Sequence, residues 1–147
     1  MADTIREQII AAIITRFEGI VKEGGYKSDL GANIYHFRNS DFEPAELPAL
    51  NIIDPRNNIG LATTIQFDNL IDIELQIKVA SGETTYKDAY GLIEDVYKAI
   101  AVDDTWGYLA LDTLPVSDEI ETNHGGKVIS GITIKIQVQY QASKWTF

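Results

Sequence analysis

The sequence predicts an α+β domain: a mostly antiparallel, twisted sheet of about five to six strands with two helices packed on one face, in the order α-β-β-β-β-α-β-β. Three observations lead there. Apolar residues recur at three- and four-residue steps near the N-terminus and again over residues 84–101. They alternate with polar residues along 59–67, 70–80 and 127–140, which is the period of a strand covered on one side. The 147 residues are the size of one domain and show no repeat or linker, so 1–147 is read as a single unit.

The first helix takes Ile5, Ile9, Ile13, Phe17 and Ile20/Val21 as its stripe, with Ile10 and Ile14 widening it. Thr4 followed by Glu7 gives a capping pattern, and Gly24-Gly25 is expected to stop the helix. Short strands follow at 32–38 and 48–54, separated by an acidic, proline-bearing loop. Pro48 opens the second of them, where its missing N–H is tolerated. After a turn at 55–58, Ile59, Leu61, Thr63, Ile65 and Phe67 share one face of a third strand. Asp68-Asn69 reads as the turn into a fourth, where Ile71, Ile73, Leu75, Ile77 and Val79 oppose Asp72, Glu74, Gln76 and Lys78.

Thr85 with Asp88 caps the second helix, whose stripe is Tyr86, Ala89, Tyr90, Ile93, Val96, Tyr97 and Ile100. A turn carrying Trp106 comes next, then an acidic strand at 114–122 and a glycine turn at 123–126. The closing strand sets Ile132, Ile134, Ile136, Val138 and Tyr140 against Thr133, Lys135, Gln137 and Gln139.

Composition narrows the function. Twelve basic residues against 22 acidic ones give a formal charge of −10, the wrong sign for gripping phosphate backbones. The absence of cysteine removes disulfides and thiolate chemistry. Apolar runs fall short of the roughly 20 residues that span a bilayer. Residues 1–7 lack a signal peptide's layout, so the chain is expected to stay where it is made.

The search for chemistry returns little. His36 falls in a strand and His124 in a turn, in no paired spacing for a metal. Asp103/Asp104 and Asp118/Glu119, with Glu121 nearby, read as solvated acids, and Asp103 with Thr105 as a turn that bonds its own backbone. Gly24-Gly25 follows a helix instead of opening one, the wrong context for cradling phosphate. The expectation is a protein that is not an enzyme, with no cofactor and no metal.

The long alternating strands point elsewhere, because arms that outrun their own core are open to pairing with other chains. Trp145 and Phe147 close the sequence with two aromatics that suggest docking, on the chain's own core or on a partner.

The order of pieces resembles the tail-terminator and minor tail proteins of long-tailed bacteriophages. The resemblance covers most of the chain. It rests on the N-terminal amphipathic helix, on Pro48-Ala49-Leu50-Asn51-Ile52-Ile53, on the alternating strand 70–80 leading into the helix 84–101, on the turn from Ala99 to Gly107, and on the closing strand 127–140. It implies a homo-oligomeric ring, commonly a hexamer, that caps the tail tube, stops its polymerisation and offers a surface for head joining. The implied partners are other copies of the chain, the tail tube protein and a head–tail connector. DNA would pass through the bore without specific binding, and no membrane is involved. The chain would reside in the cytoplasm of the bacterial host and then in the virion tail. A different neck or connector protein, or a small cytoplasmic ligand-binding module, stays open as an alternative. The residues expected to make contacts are Glu43, Glu46, Arg56 and Asn57, then Asp72, Glu74 and Lys78 on the polar strand face, and Trp145 with Phe147. The loop 39–47 is expected to become ordered only on assembly.

Overall fold

A computed structural model describes residues 3–146. The chain runs α1 (Ile5–Glu18), β1 (Ile34–His36), β2 (Ala49–Leu61), β3 (Gln66–Lys78), α2 (Tyr86–Ala101), β4 (Asp112–Asn123) and β5 (Val128–Ser143), with short 3-10 turns before β1 and β2. The five strands form one sheet in the order β1-β2-β3-β5-β4. The three-residue β1 runs parallel to β2, and every other pairing is antiparallel. This is the α+β layout expected, with helices on a sheet.

The helices start where the sequence says. Thr4 accepts the Glu7 N–H at the head of α1, and Thr85 with Asp88 makes a full capping box at the head of α2. Ile9, Ile13 and Phe17 of α1 and Leu92, Val96 and Ala99 of α2 press onto Ile71, Ile73, Leu75 and Ile77 of β3 and Ile132, Ile134, Ile136 and Val138 of β5. Each fully buried aliphatic contributes about 1.5–3 kcal/mol, so this helix-covered face holds the fold together. Asp72, Glu74, Gln76 and Lys78 alternate onto the opposite face, only partly buried.

Four local expectations are corrected. The α1 helix ends at Gly19, well before Gly24-Gly25, because the chain must turn back early: Gly31 donates to Ile20 O and lies so close that a Cβ there would stand 2.5 Å from Glu18 O. The segments 48–54 and 59–67 are one continuous strand, β2, which absorbs the Pro55 region as a bulge between Ile53 and Arg56. The sheet therefore has three strands, not four, before α2. The hairpin turns at residues 62–65, and Asp68 and Asn69 lie inside β3. Their turn-like chemistry is spent across the sheet, with Asp68 accepting from Gln141 and Asn69 from Asn57. Lastly, the loop 39–47 is already tied down within the chain: Arg38 grips Glu46 and Asp41 O and lies over the Phe42 ring.

Candidate functional site

The β2–β3 hairpin and the end of β5 run on past the helices. Asn57, Asn69 and Tyr140 form a polar layer where coverage ends: Asn57 Nδ2 donates to Asn69 Oδ1 at 3.0 Å and to the Tyr140 hydroxyl at 3.3 Å. Burial pushes the Tyr140 phenol upward in pKa. Asn57 Oδ1 is buried with no hydrogen-bond donor, an orphan acceptor of a kind that folded proteins seldom leave. Beyond this layer the same face turns apolar again. Ile59, Leu61 and Ile65 are exposed, and Trp145 is 89% exposed, set edge-to-face on Phe67 at 5.3 Å. Trp145 thus docks on the arm tip, not on the core.

Across the sheet, the segment after α2 presents a second apolar surface. Trp106, Gly107 and Tyr108 are all left-handed, with φ of 54°, 72° and 68°. For the two non-glycines that conformation costs about 1–2 kcal/mol each, so bonds around them must hold it. Asp103 accepts the Thr105 hydroxyl and N–H and the Gly107 N–H, and these bonds, the Thr105 hydroxyl first, pull its carboxyl down to about 2. Trp106 is buried edge-on against Phe17 and donates to Thr113 Oγ1 at 2.8 Å. Arg16 bonds Ala99 O and Asp103 O and lies over the Trp106 ring. At the apex of this brace Tyr108 stands 93% exposed, flanked by exposed Val102 and Leu111.

The residues named from sequence fall in separate places. Arg56 and Asp72 face each other across β2 and β3 at 4.0 Å, and Glu74 and Lys78 continue that polar face. Asn57 belongs to the arm's polar layer. Glu46 belongs to neither and serves its own loop: Arg38 first, then the Glu43 N–H and Tyr35 hydroxyl, pull its carboxyl down to about 2. Glu43 is exposed at the head of that loop. Phe147 lies outside the described residues. Sequence reasoning missed the Tyr108 loop, because left-handed tyrosine and tryptophan carry no compositional signal.

Chemistry finds few footholds. His36 Nε2 lies 2.7 Å from Asp54 Oδ1, and Arg6 Nε donates to Oδ2 at 3.0 Å, so α1 is tied to β2 through a nearly buried carboxylate. No group of three or more His, Cys, Asp or Glu is placed to hold a metal among the described residues. A groove of about 810 Å³ runs between α2 and the turns before β1, where Lys22, Lys27 and Lys87 are matched by Asp29, Glu83 and Asp88 over Pro48 and Leu92. Among the described residues no helix is long and apolar enough to cross a membrane.

Neither a scan of family models nor a search of curated proteins returns a match for this chain. Fold and surfaces together define an α+β domain whose helix-covered sheet carries two separate exposed apolar surfaces.

Proposed function

We propose that the chain is a structural virion protein resembling a phage tail terminator, which forms a ring on the finished tail tube, stops its growth and receives the head. The observation that supports this is the unlikeness of the sheet's two margins. One margin is the apolar β2–β3 arm, and the other is the braced Tyr108 loop with acidic β4 beside it. A head-to-tail contact between unlike patches generates rings when the rotation closes. The helices then lie outside. The uncovered polar face, where Asp72, Glu74, Glu119 and Glu121 outnumber Arg56, Lys78 and Lys135, lines the bore. A net acidic bore repels DNA and lets it slide. On this reading the chain acts by geometry and not by catalysis, with tube and connector proteins as partners. It works in the host cytoplasm during assembly and then in the tail.

The groove beside α2 favours a second reading, a module for a small ligand, since its volume is in the range of ligand pockets and polar groups of both signs line it. Absolute mass by light scattering over a concentration series, with negative-stain images, separates the two. Closed rings with a central hole are expected. A monomer or dimer at every concentration, coupled with saturable binding of a small molecule in this groove, would move the assignment to the module.

A further inference from the structure

We propose that the Tyr108 loop of one copy seats on the arm tip of the next, laying the Tyr108 ring on the exposed Ile59, Leu61 and Trp145 of its neighbour. The contact deepens the ring reading and depends on it for closure.

The two surfaces lie at one level on opposite sides of the sheet. Leu111 donates to Gln139 O, one residue from Tyr140, and Tyr140 pairs through Asn69 with Ile59. Two copies placed side by side therefore bring loop and arm together without sliding along the strands. The chemistry also matches. The arm offers an exposed apolar surface in Ile59, Leu61 and Trp145. The loop offers an exposed aromatic ring flanked by exposed Val102 and Leu111. Charge at the rims is complementary: Lys144 adjoins Trp145, whereas Asp104 and Asp112 adjoin the loop.

Preorganisation is the independent argument. A tyrosine held left-handed, almost wholly in solvent, by a network that begins at Asp103 is arranged for something outside the chain. A loop backbone held in advance has less freedom left to lose on docking. The partner is a second copy, since the complementary patch is present on the chain itself.

The chain has no cysteine, so introduced thiols report contacts without background. The test oxidises Tyr108→Cys, Leu61→Cys and the double variant, checks each by circular dichroism, and reads nonreducing gels. The double variant is expected to give a ladder of covalent oligomers that stops at the ring number, and the single variants are expected to stay uncrosslinked. Leu111→Cys replaces Tyr108→Cys if the latter does not fold. By light scattering, Tyr108→Ser and Leu61→Ser should each reduce wild-type assemblies to monomers, and an equimolar mixture of the two should form dimers and nothing larger. A covalent dimer from Leu61→Cys alone would mean that arms pack on each other, and would overturn the pairing. Rings that persist in both serine variants would remove the Tyr108 contact and leave the ring reading standing. A wild type that stays monomeric at millimolar concentration would remove both.

Discussion

Along one face of the sheet, Ile73, Leu75 and Ile77 lie under the helices, and further along the same ladder Ile59 and Leu61 stand in solvent. Both sets obey the same alternation and belong to the same paired strands. What separates them is reach. A 14-residue helix is about 21 Å long, whereas a 16-residue strand is about 54 Å. The helices cannot cover the strands from end to end. Alternation decides which face a side chain takes, and the length of the covering layer decides whether that face is dry. The Asn57–Asn69–Tyr140 layer marks the boundary, using polar groups where a purely apolar core would open to water.

Truncation on either side of this boundary tests it most severely. Leu75→Ala should destabilise the chain by about 2–5 kcal/mol in urea unfolding, because a fully buried side chain leaves a cavity. Leu61→Ala, at 70% exposure, should stay within about 0.5 kcal/mol. If Leu61→Ala costs as much as Leu75→Ala, the arm tip is packed within the single chain, and the contrast between the two regions disappears.

The covered half is also bolted by a buried carboxylate. Asp95, 1% exposed on α2, accepts the Lys27 N–H, the Ser28 N–H and the Ser28 hydroxyl, and so ties the segment after α1 to α2. Asp95→Ala leaves two backbone donors without partners and should cost about 2–4 kcal/mol. Hydrogen exchange should then rise over residues 25–30 and stay unchanged in the arm. Equal protection in variant and wild type would show that packing, not Asp95, holds the segment.

Much of this was legible in the sequence, for reasons particular residues make plain. Both helix caps were readable because Thr4, Thr85 and Asp88 act on backbone groups three residues away. The faces of β3 and β5 were readable because a period of two needs no knowledge of partners. The hairpin turn was misplaced because Asp68 and Asn69 have turn chemistry that long-range pairing redirects. Glu46 was read as a contact residue for a partner, because nothing local reveals that Arg38 returns to it. Coverage was the largest gap. Ile59 and Leu61 alternate as well as Leu75 does, and exposure depends on where a helix distant in sequence stops.

Acid should loosen the braced loops before the core. The carboxyls of Asp103 and Glu46 both sit at about 2, below their ordinary values. Their bonding therefore stabilises the fold fully above the unfolded carboxylate range, and that contribution is lost as pH falls from about 4.5 towards 2. Carboxyl titration by NMR should show both midpoints depressed, and Arg38→Gln should raise that of Glu46 while leaving Asp103 in place. A Glu46 midpoint that ignores Arg38→Gln would assign its depression to the Glu43 N–H and Tyr35 instead.

The smallest effect probes the boundary itself. Tyr140→Phe removes the hydroxyl that accepts from Asn57 Nδ2 and keeps the ring that fills the space under the arm. One neutral hydrogen bond is worth about 0.5–1.5 kcal/mol. The 3.3 Å contact and the Asn69 Oδ1 that still accepts from the same amide place the loss at the low end. The loss should appear in monomer stability and leave association unchanged, because Tyr140 is wholly buried and offers a neighbour no contact. If Tyr140→Phe instead abolishes assembly while the monomer stays as stable as wild type, then the layer holds the arm in a shape that only a second copy reads. The division between covered and bare halves would then lie in how the arm is aimed, and no longer in what covers it.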